Sequence, residues 1–273
     1  MSVAQALDYA EYESVDAVRW SCLREMRRSP KHYRWRLDHP PADTDYFRLG
    51  RAVHCAVLEP DRFPLEVAVF TGKIRRGKEW DAFSDVNAAR TILKADEYAM
   101  CLAIRDAVRA HPVAKHLLEV GEAEKSIVWT DPRTGLLCKG RVDWLNSMVV
   151  DLKTDAQLSP RRFPVKAARN GYACQMAMYR EGLRVLGMDP PVKILAVESV
   201  PPFDVGVFAL DENALWAGEE EVHELMDKVA ECTTKNAWPG MFGDDEKILD
   251  LPAWAFPDEE DVSGMGLTAA GEP

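Results

Sequence analysis

The stretch LLCKGRVDWLNSMVVDLK, residues 136–153, limits the possible folds more than any other part of the chain. It reads as two strands, 136–145 and 147–153, with one residue between them. With a period of two, Leu136, Cys138, Gly140, Val142 and Trp144 fall on one face of the first strand, and Lys139, Arg141 and Asp143 fall on the other. In the second strand Val150 and Leu152 share a face, and Asp151 and Lys153 share the opposite one. If the two strands pair as a hairpin, Asp143, Asp151 and Lys153 converge on one side of a sheet. Two carboxylates meeting at a sheet edge form a hard-oxygen site suited to Mg²⁺ or Mn²⁺. Such an ion polarises a phosphoryl oxygen and lowers the pKa of a bound water. The Lys153 ammonium would steer that water or stabilise transition-state charge, and the Leu152 carbonyl, between the two, is a further ligand candidate. Taken alone, Asp-x-Lys on a strand is equally an ordinary surface pair.

The rest of the chain supplies helices around this hairpin. Helices are expected over 14–28, ending near Ser29-Pro30, and over 46–59, stopped by Pro60. Residues 62–80 read as short extended pieces with a basic loop, GKIRRGK. Residues 82–119 read as one or two helices broken at His111-Pro112. A strand over 124–130 joins the central pair through Asp131-Pro132-Arg133-Thr134-Gly135, a hairpin turn. A helix over 160–187, strands over 192–199 and 204–210, and a helix over 211–235 follow. This order predicts an α/β fold with a central mixed sheet flanked by helices. No linker divides it. The expected organisation is one domain over 1–255, with a helical part at 1–60, a core at about 46–210 and a C-terminal helix and ending at 211–255. An acidic, disordered tail is expected at 256–273.

Charge excludes one class outright. With 34 Lys+Arg against 45 Asp+Glu the net charge is −11, so the chain is not a small basic DNA-binding module. The charge is unevenly spread. Residues 244–273 hold nine acids and one base, whereas Arg19, Arg24, Arg27, Arg28, Lys31, Arg34 and Arg36 crowd into 18 positions. Further basic clusters are Lys73, Arg75, Arg76 and Lys78, and Arg161, Arg162, Lys166 and Arg169. A polyanion could bind one face, although basic clusters also occur as solvated helix and loop faces. The six cysteines are at least 33 residues apart, which argues against a zinc ribbon and for reduced thiols in a cytoplasm. No run of 18 apolar residues is present, so no membrane association is expected, and the N-terminus does not read as a signal peptide.

Several short motifs occur in a telling order: Gly50-x-x-x-His54, then Gly140-Arg-Val-Asp-Trp144, Val149-Val-Asp-Leu-Lys-Thr154 and Gln175-x-x-x-Tyr179. Together they resemble the PD-(D/E)XK (restriction-endonuclease-like) nuclease superfamily, and within it the RecE-like, exodeoxyribonuclease VIII-type exonucleases of phages and prophages. Ser29-Pro30-Lys31-His32-Tyr33, Leu58-Glu59-Pro60 after His54, Arg75-Arg76-Gly77-Lys78-Glu79-Trp80, Glu198 with Pro201-Pro202, Trp238-Pro239-Gly240 and Leu251-Pro252-Ala253-Trp254 are similar to further segments of that branch. The resemblance covers roughly residues 20–255.

That resemblance implies roles. Asp143 and Asp151 would bind the catalytic Mg²⁺ or Mn²⁺, with His54 and the Leu152 carbonyl as further ligands. Lys153 would be the catalytic lysine, with Gln175 and Tyr179 beside the site. Glu124 is similar to an acidic position of the branch, without an assigned role. DNA would lie along Arg27, Arg28, Arg75, Arg76 and Lys78, with Arg141 on the charged face near Asp143. An iron–sulfur cluster, found in a neighbouring branch, is not expected, because only Cys232 follows Cys174. The implied activity is a metal-dependent 5′→3′ exonuclease on double-stranded DNA ends. It would serve recombination beside a single-strand annealing protein, act as a ring-shaped homo-oligomer, and work in the cytoplasm of a bacterial or phage-infected cell. The alternatives are a structure-specific endonuclease and a non-catalytic DNA- or protein-binding module.

Overall fold

A computed structural model describes residues 3–5, 7 and 9–256. In chain order the elements are β1 (Val3–Gln5), α1 (Tyr9–Ser14), α2 (Trp20–Leu23), a 3-10 turn (Arg24–Arg27), α3 (Pro30–Asp38), α4 (Asp45–Leu58), α5 (Phe63–Glu66), β2 (Val67–Phe70), α6 (Lys78–Val86), β3 (Thr91–Lys94), α7 (Ala95–Ala110), α8 (Pro112–Leu117), β4 (Glu122–Thr130), β5 (Leu137–Leu145), β6 (Val149–Asp155), α9 (Arg162–Asn170), α10 (Tyr172–Val185), β7 (Val192–Glu198), β8 (Val205–Ala209) and α11 (Glu212–Lys235), with a last 3-10 turn at Ala253–Ala255. The main sheet has six strands in the order β1-β4-β5-β6-β7-β8. It is mixed: β6 and β7 run parallel and the other neighbours antiparallel. The predicted architecture, a central mixed sheet flanked by helices, is the one observed.

Two buried clusters cover the two sides of the sheet. One gathers Ile127, Trp129, Cys138, Val142 and Val149 with Met176, Met178 and Leu183 of α10 and Leu215, Val222 and Leu225 of α11. The other gathers Trp144, Val150, Leu152 and Leu195 with Ala52, Val53, Ala56 and Val57 of α4 and Cys101, Ile104 and Val108 of α7. Helix α4 forms because Thr44 caps it, its side chain accepting from Phe47 N, and because its small apolar residues recur at helical spacing. It ends at Leu58, two residues before Pro60. The helix expected over 160–187 is split at Gly171 (φ +67°) into α9 and α10. A β-carbon there would lie 2.4 Å from the Trp20 ring.

Three further readings of the sequence are corrected. Residues 14–28 are not one helix: α1 ends at Ser14, and α2 with its 3-10 turn occupies 20–27. Within 82–119, Thr91–Lys94 is a strand that pairs in parallel with β2, making a small second sheet. The β5 faces also change partway. Val142 packs with α10 and α11, but Trp144 packs with α4 and α7, so the two do not share a face. The reason lies in the neighbouring strand, described next. Of the tail expected at 256–273, all but Phe256 lies outside the described residues.

Candidate active site

Register places three carboxylates in a row. In β4–β5, Ala123 pairs with Trp144 and Lys125 with Val142, which sets Glu124 opposite Asp143. In β5–β6, Trp144 pairs with Val150 and Leu145 with Val149, and the ladder stops there; its next position would set Asp143 opposite Asp151. Like charges directly opposite one another destabilise a strand pair. Both ladders are interrupted at the acid. Glu124 has φ +53°, a left-handed conformation costly for a residue with a β-carbon. This local twist is where β5 changes face. Across the opening, Asp143 Oδ2 accepts the Leu152 N–H at 2.7 Å, taking the place of a ladder bond.

Side chains from both helical layers meet at this opening. From α4, His54 Nδ1 lies 3.6 Å from Asp143 Oδ2. Ligand atoms of His54, Glu124 and Asp143 all fall within 4.8 Å of one another. From α10, Gln175 Nε2 donates to Asp151 Oδ1 at 2.9 Å and to the Tyr179 hydroxyl at 3.0 Å, while its Oε1 accepts from Lys153 Nζ at 3.0 Å. Lys153 Nζ is 2.6 Å from Asp151 Oδ2 and 4.9 Å from the centre of the Tyr172 ring. Gly140 lets Tyr179 lie flat on the strand: a β-carbon there would be 2.7 Å from the ring.

The electrostatics call for a cation. Asp151 is 1% exposed, and its Oδ2 takes no well-directed hydrogen bond despite the ion pair with Lys153. Burial pushes the Asp143 carboxyl up to about 7; His54 opposes this, while Asp151 and Glu124 add to it. Burial alone would lower Lys153, but the Asp151 and Asp143 carboxylates outweigh it and hold the ammonium above its usual value. Burial, then Asp151 and Asp143, keep Tyr179 well above the ordinary phenol range, so it stays protonated. Arg141 pairs with Glu124 at 2.6 Å and relieves part of the charge. Carboxylate oxygens with one imidazole are a donor set that fits Mg²⁺ or Mn²⁺. A second group, Glu181, Glu219 and His223 between α10 and α11, has partners of its own, with Glu181 bonded to His223 and Glu219 paired with Arg184 at 3.2 Å.

The residues singled out from the sequence are distributed as follows. His54, Asp143, Asp151, Leu152, Lys153, Gln175 and Tyr179 come together, and Glu124, which had no assigned role, joins them. Arg141 sits at their edge. Arg27 is tied to Glu221 at 2.5 Å and stacks on Trp20, and Arg75 is paired with Glu97 and, at 3.7 Å, with Asp45; both guanidiniums are used inside the protein. Arg28 is exposed beside Glu25, 3.7 Å away, and Arg76, on the loop before α6, and Lys78, the first residue of α6, are exposed. Glu198 braces two loops, accepting from Leu158 N at 2.9 Å and Asp204 N at 3.3 Å. The Ser29–Tyr33 and Trp238–Pro239 segments meet each other: Tyr33 stacks on Trp238 at 5.7 Å, and Pro239 O accepts from Lys31 N. Among the described residues no helix is long and apolar enough to cross a membrane.

The comparisons with known proteins agree with the fold. A family model described as a PDDEXK-like domain of unknown function (DUF3799) matches residues 20–248. A crystal structure of an Eubacterium rectale protein described as a candidate exonuclease superposes with a TM-score of 0.62. The two are 15% identical, and the match covers 95% of this chain and 99% of that one. No curated protein matches the chain.

Proposed function

The chain belongs to this family of PDDEXK-like domains, and from that premise we propose that it is a metal-dependent deoxyribonuclease acting at DNA ends, a 5′→3′ exonuclease on duplex DNA of the RecE-like type. One observation carries the reading. Three carboxylates stand in a row across β4, β5 and β6, at a break in the ladder, with a half-buried lysine beside the third.

In this reading His54, Glu124, Asp143 and Asp151 hold a divalent cation, with the Leu152 carbonyl beside them. When bound, that ion supplies Lewis-acid polarisation of a phosphate oxygen. The protein's own groups do the positioning. Asp151 and Gln175 fix the Lys153 ammonium, so it donates to the attacking water or to the phosphoryl oxygen where negative charge builds up. Water adds to phosphorus in line and gives up a proton to solvent, and the bond to the 3′-oxygen breaks. That oxygen takes up a proton and leaves as the 3′-hydroxyl of the released nucleotide, and the phosphate stays on the shortened strand as its new 5′ end. Tyr179, held neutral, keeps Gln175 turned toward Asp151.

Arg28, Arg76 and Lys78 are the exposed cations offered to DNA phosphates, which supply affinity without sequence preference, whereas Arg141 is held by Glu124 at the edge of the site. Double-stranded ends as substrate, a single-strand annealing recombinase as partner, a ring-shaped oligomer and a cytoplasmic setting follow from the resemblance of the motifs to RecE-like enzymes.

The test is degradation of a linear duplex labelled at each 5′ end and internally, beside a closed circle, with Mg²⁺ and with EDTA. Early release of 5′-labelled mononucleotides from the linear DNA alone, abolished by EDTA, supports the proposal. Cutting of the circle would replace it with an endonuclease, and binding without cutting would replace it with a non-catalytic module.

A further inference from the structure

The face of α4 that leads to His54 is built from Phe47, Gly50 and Arg51, at i, i+3 and i+4, with His54 at i+7. The other side of the helix is buried through Ala52, Val53, Ala56 and Val57. At the start of the exposed face Phe47 is 45% and Tyr46 69% exposed, their rings edge to face with centroids 5.8 Å apart. Gly50 lies in mid-helix, where glycine weakens the helix relative to alanine. A β-carbon built on it would meet no atom within 4 Å. Packing within the described residues therefore gives no reason for glycine here, in contrast to Gly140, which Tyr179 fills. A costly residue without an internal partner, on the approach to the site, leaves room for something that comes close to the helix backbone.

The neighbouring charge indicates what that is. The loop before α6 is pinned to the first turn of α4 by Arg75, which reaches both Asp45 and Glu97. Arg76 on the same loop and Lys78 at the start of α6 are exposed and make no ion pair among the described residues. An aromatic platform beside free cations is the arrangement that binds single strands irrespective of sequence.

We propose that this face of α4 is a track for one strand of nucleic acid entering the site. Bases stack on Tyr46 and Phe47, phosphates meet Arg76 and Lys78, and the sugar–phosphate chain passes over Gly50. The seven residue-to-residue steps from Phe47 to His54 span about 10 Å of helix. That is about three stacked bases of one strand. A duplex end must therefore open its last pairs to be cut. This rests on the nuclease reading of the site.

Gly50→Ala tests it, because a structural glycine and a substrate-facing glycine predict opposite results. The track predicts a melting temperature higher by about 2 °C. It also predicts a kcat/KM on duplex ends lower by about ten-fold, the size of one lost stacking or phosphate contact. The Tyr46→Ala, Phe47→Ala double variant should lose about ten-fold on blunt duplex and less on ends already opened by terminal mismatches. A Gly50→Ala protein that is more stable and fully active overturns the track, as does one that is less stable. If the wild-type protein cuts nothing with Mg²⁺, it is the nuclease reading that fails. The track is then read from anisotropy of a labelled single strand, where equal affinity for wild type and Gly50→Ala overturns it.

Discussion

Asp143 accepts the backbone N–H of Leu152 at 2.7 Å across a gap where β5 and β6 no longer pair. The next rung of that ladder would have set Asp143 directly against Asp151. The strands part at this point, and the side chain replaces the missing backbone acceptor. The parting gives His54 from one helical layer and Gln175 from the other access to the same few ångströms. The opening that costs sheet pairing thus creates the site.

Asp143 makes the metal-free protein sensitive to pH. Its carboxyl is raised from 3.8 to about 7 by burial, so the folded state keeps a proton that the unfolded chain has released. The stability tied to this proton is complete below the unfolded value and is lost as pH rises through about 7. The melting temperature without metal should fall from pH 5 to pH 8, and Asp143→Asn should flatten the fall. Mg²⁺ should restore more at pH 8 than at pH 5.5, since its binding expels the proton. A pH-independent melting temperature in the wild type would count against the raised carboxyl.

Gly140→Ala should damage the site from behind. The new methyl must displace the Tyr179 ring, and with it the Gln175 amide that bridges Asp151 and Lys153. Overpacking of this kind costs about 1–3 kcal/mol. Activity should fall by more than the stability loss explains, measured as kcat well below the melting temperature. Tyr179→Phe, which keeps the ring and removes only the hydroxyl, should be milder. Equal kcat for wild type and Gly140→Ala would show that the ring does not position the amide.

Glu124→Gln should weaken metal binding. The substitution keeps the length of the side chain and removes the charge that stands opposite Asp143. Calorimetric titration with Mn²⁺ should give a Kd raised by about ten-fold, as for loss of one charged ligand or its close support. An unchanged Kd would leave Glu124 as no more than the partner of Arg141.

A hairpin of β5 and β6 was legible in the sequence and suggested that Asp143, Asp151 and Lys153 meet, but alternation alone does not bring them together: Asp143 reaches the others at the break beside Glu124, where β5 changes face. His54, Gln175 and Tyr179 were legible only through resemblance, since nothing local distinguishes them from ordinary helical residues. The place of Glu124 was hidden. It depends on the β4–β5 register and on a left-handed backbone at a residue type that rarely adopts one. The same distortion defeats the period-two reading that put Val142 and Trp144 on one face. Strand β3, four residues long inside a helical run, owes its existence to pairing with β2 rather than to its own pattern. Arg27 and Arg75 read as surface cations because their partners, Glu221 and Glu97, lie 194 and 22 residues away.

The central claim is that Lys153, held by Asp151 and Gln175, acts on a phosphodiester at this site. Single-turnover cleavage of an end-labelled duplex by wild type and Lys153→Ala, at saturating Mg²⁺ and with folding verified for both, tests it most directly. The account predicts rapid cleavage by the wild type and a loss of at least about a hundred-fold in the variant, as for a missing general acid–base or electrostatic contact, with DNA binding retained. Cleavage by Lys153→Ala at the wild-type rate would contradict it.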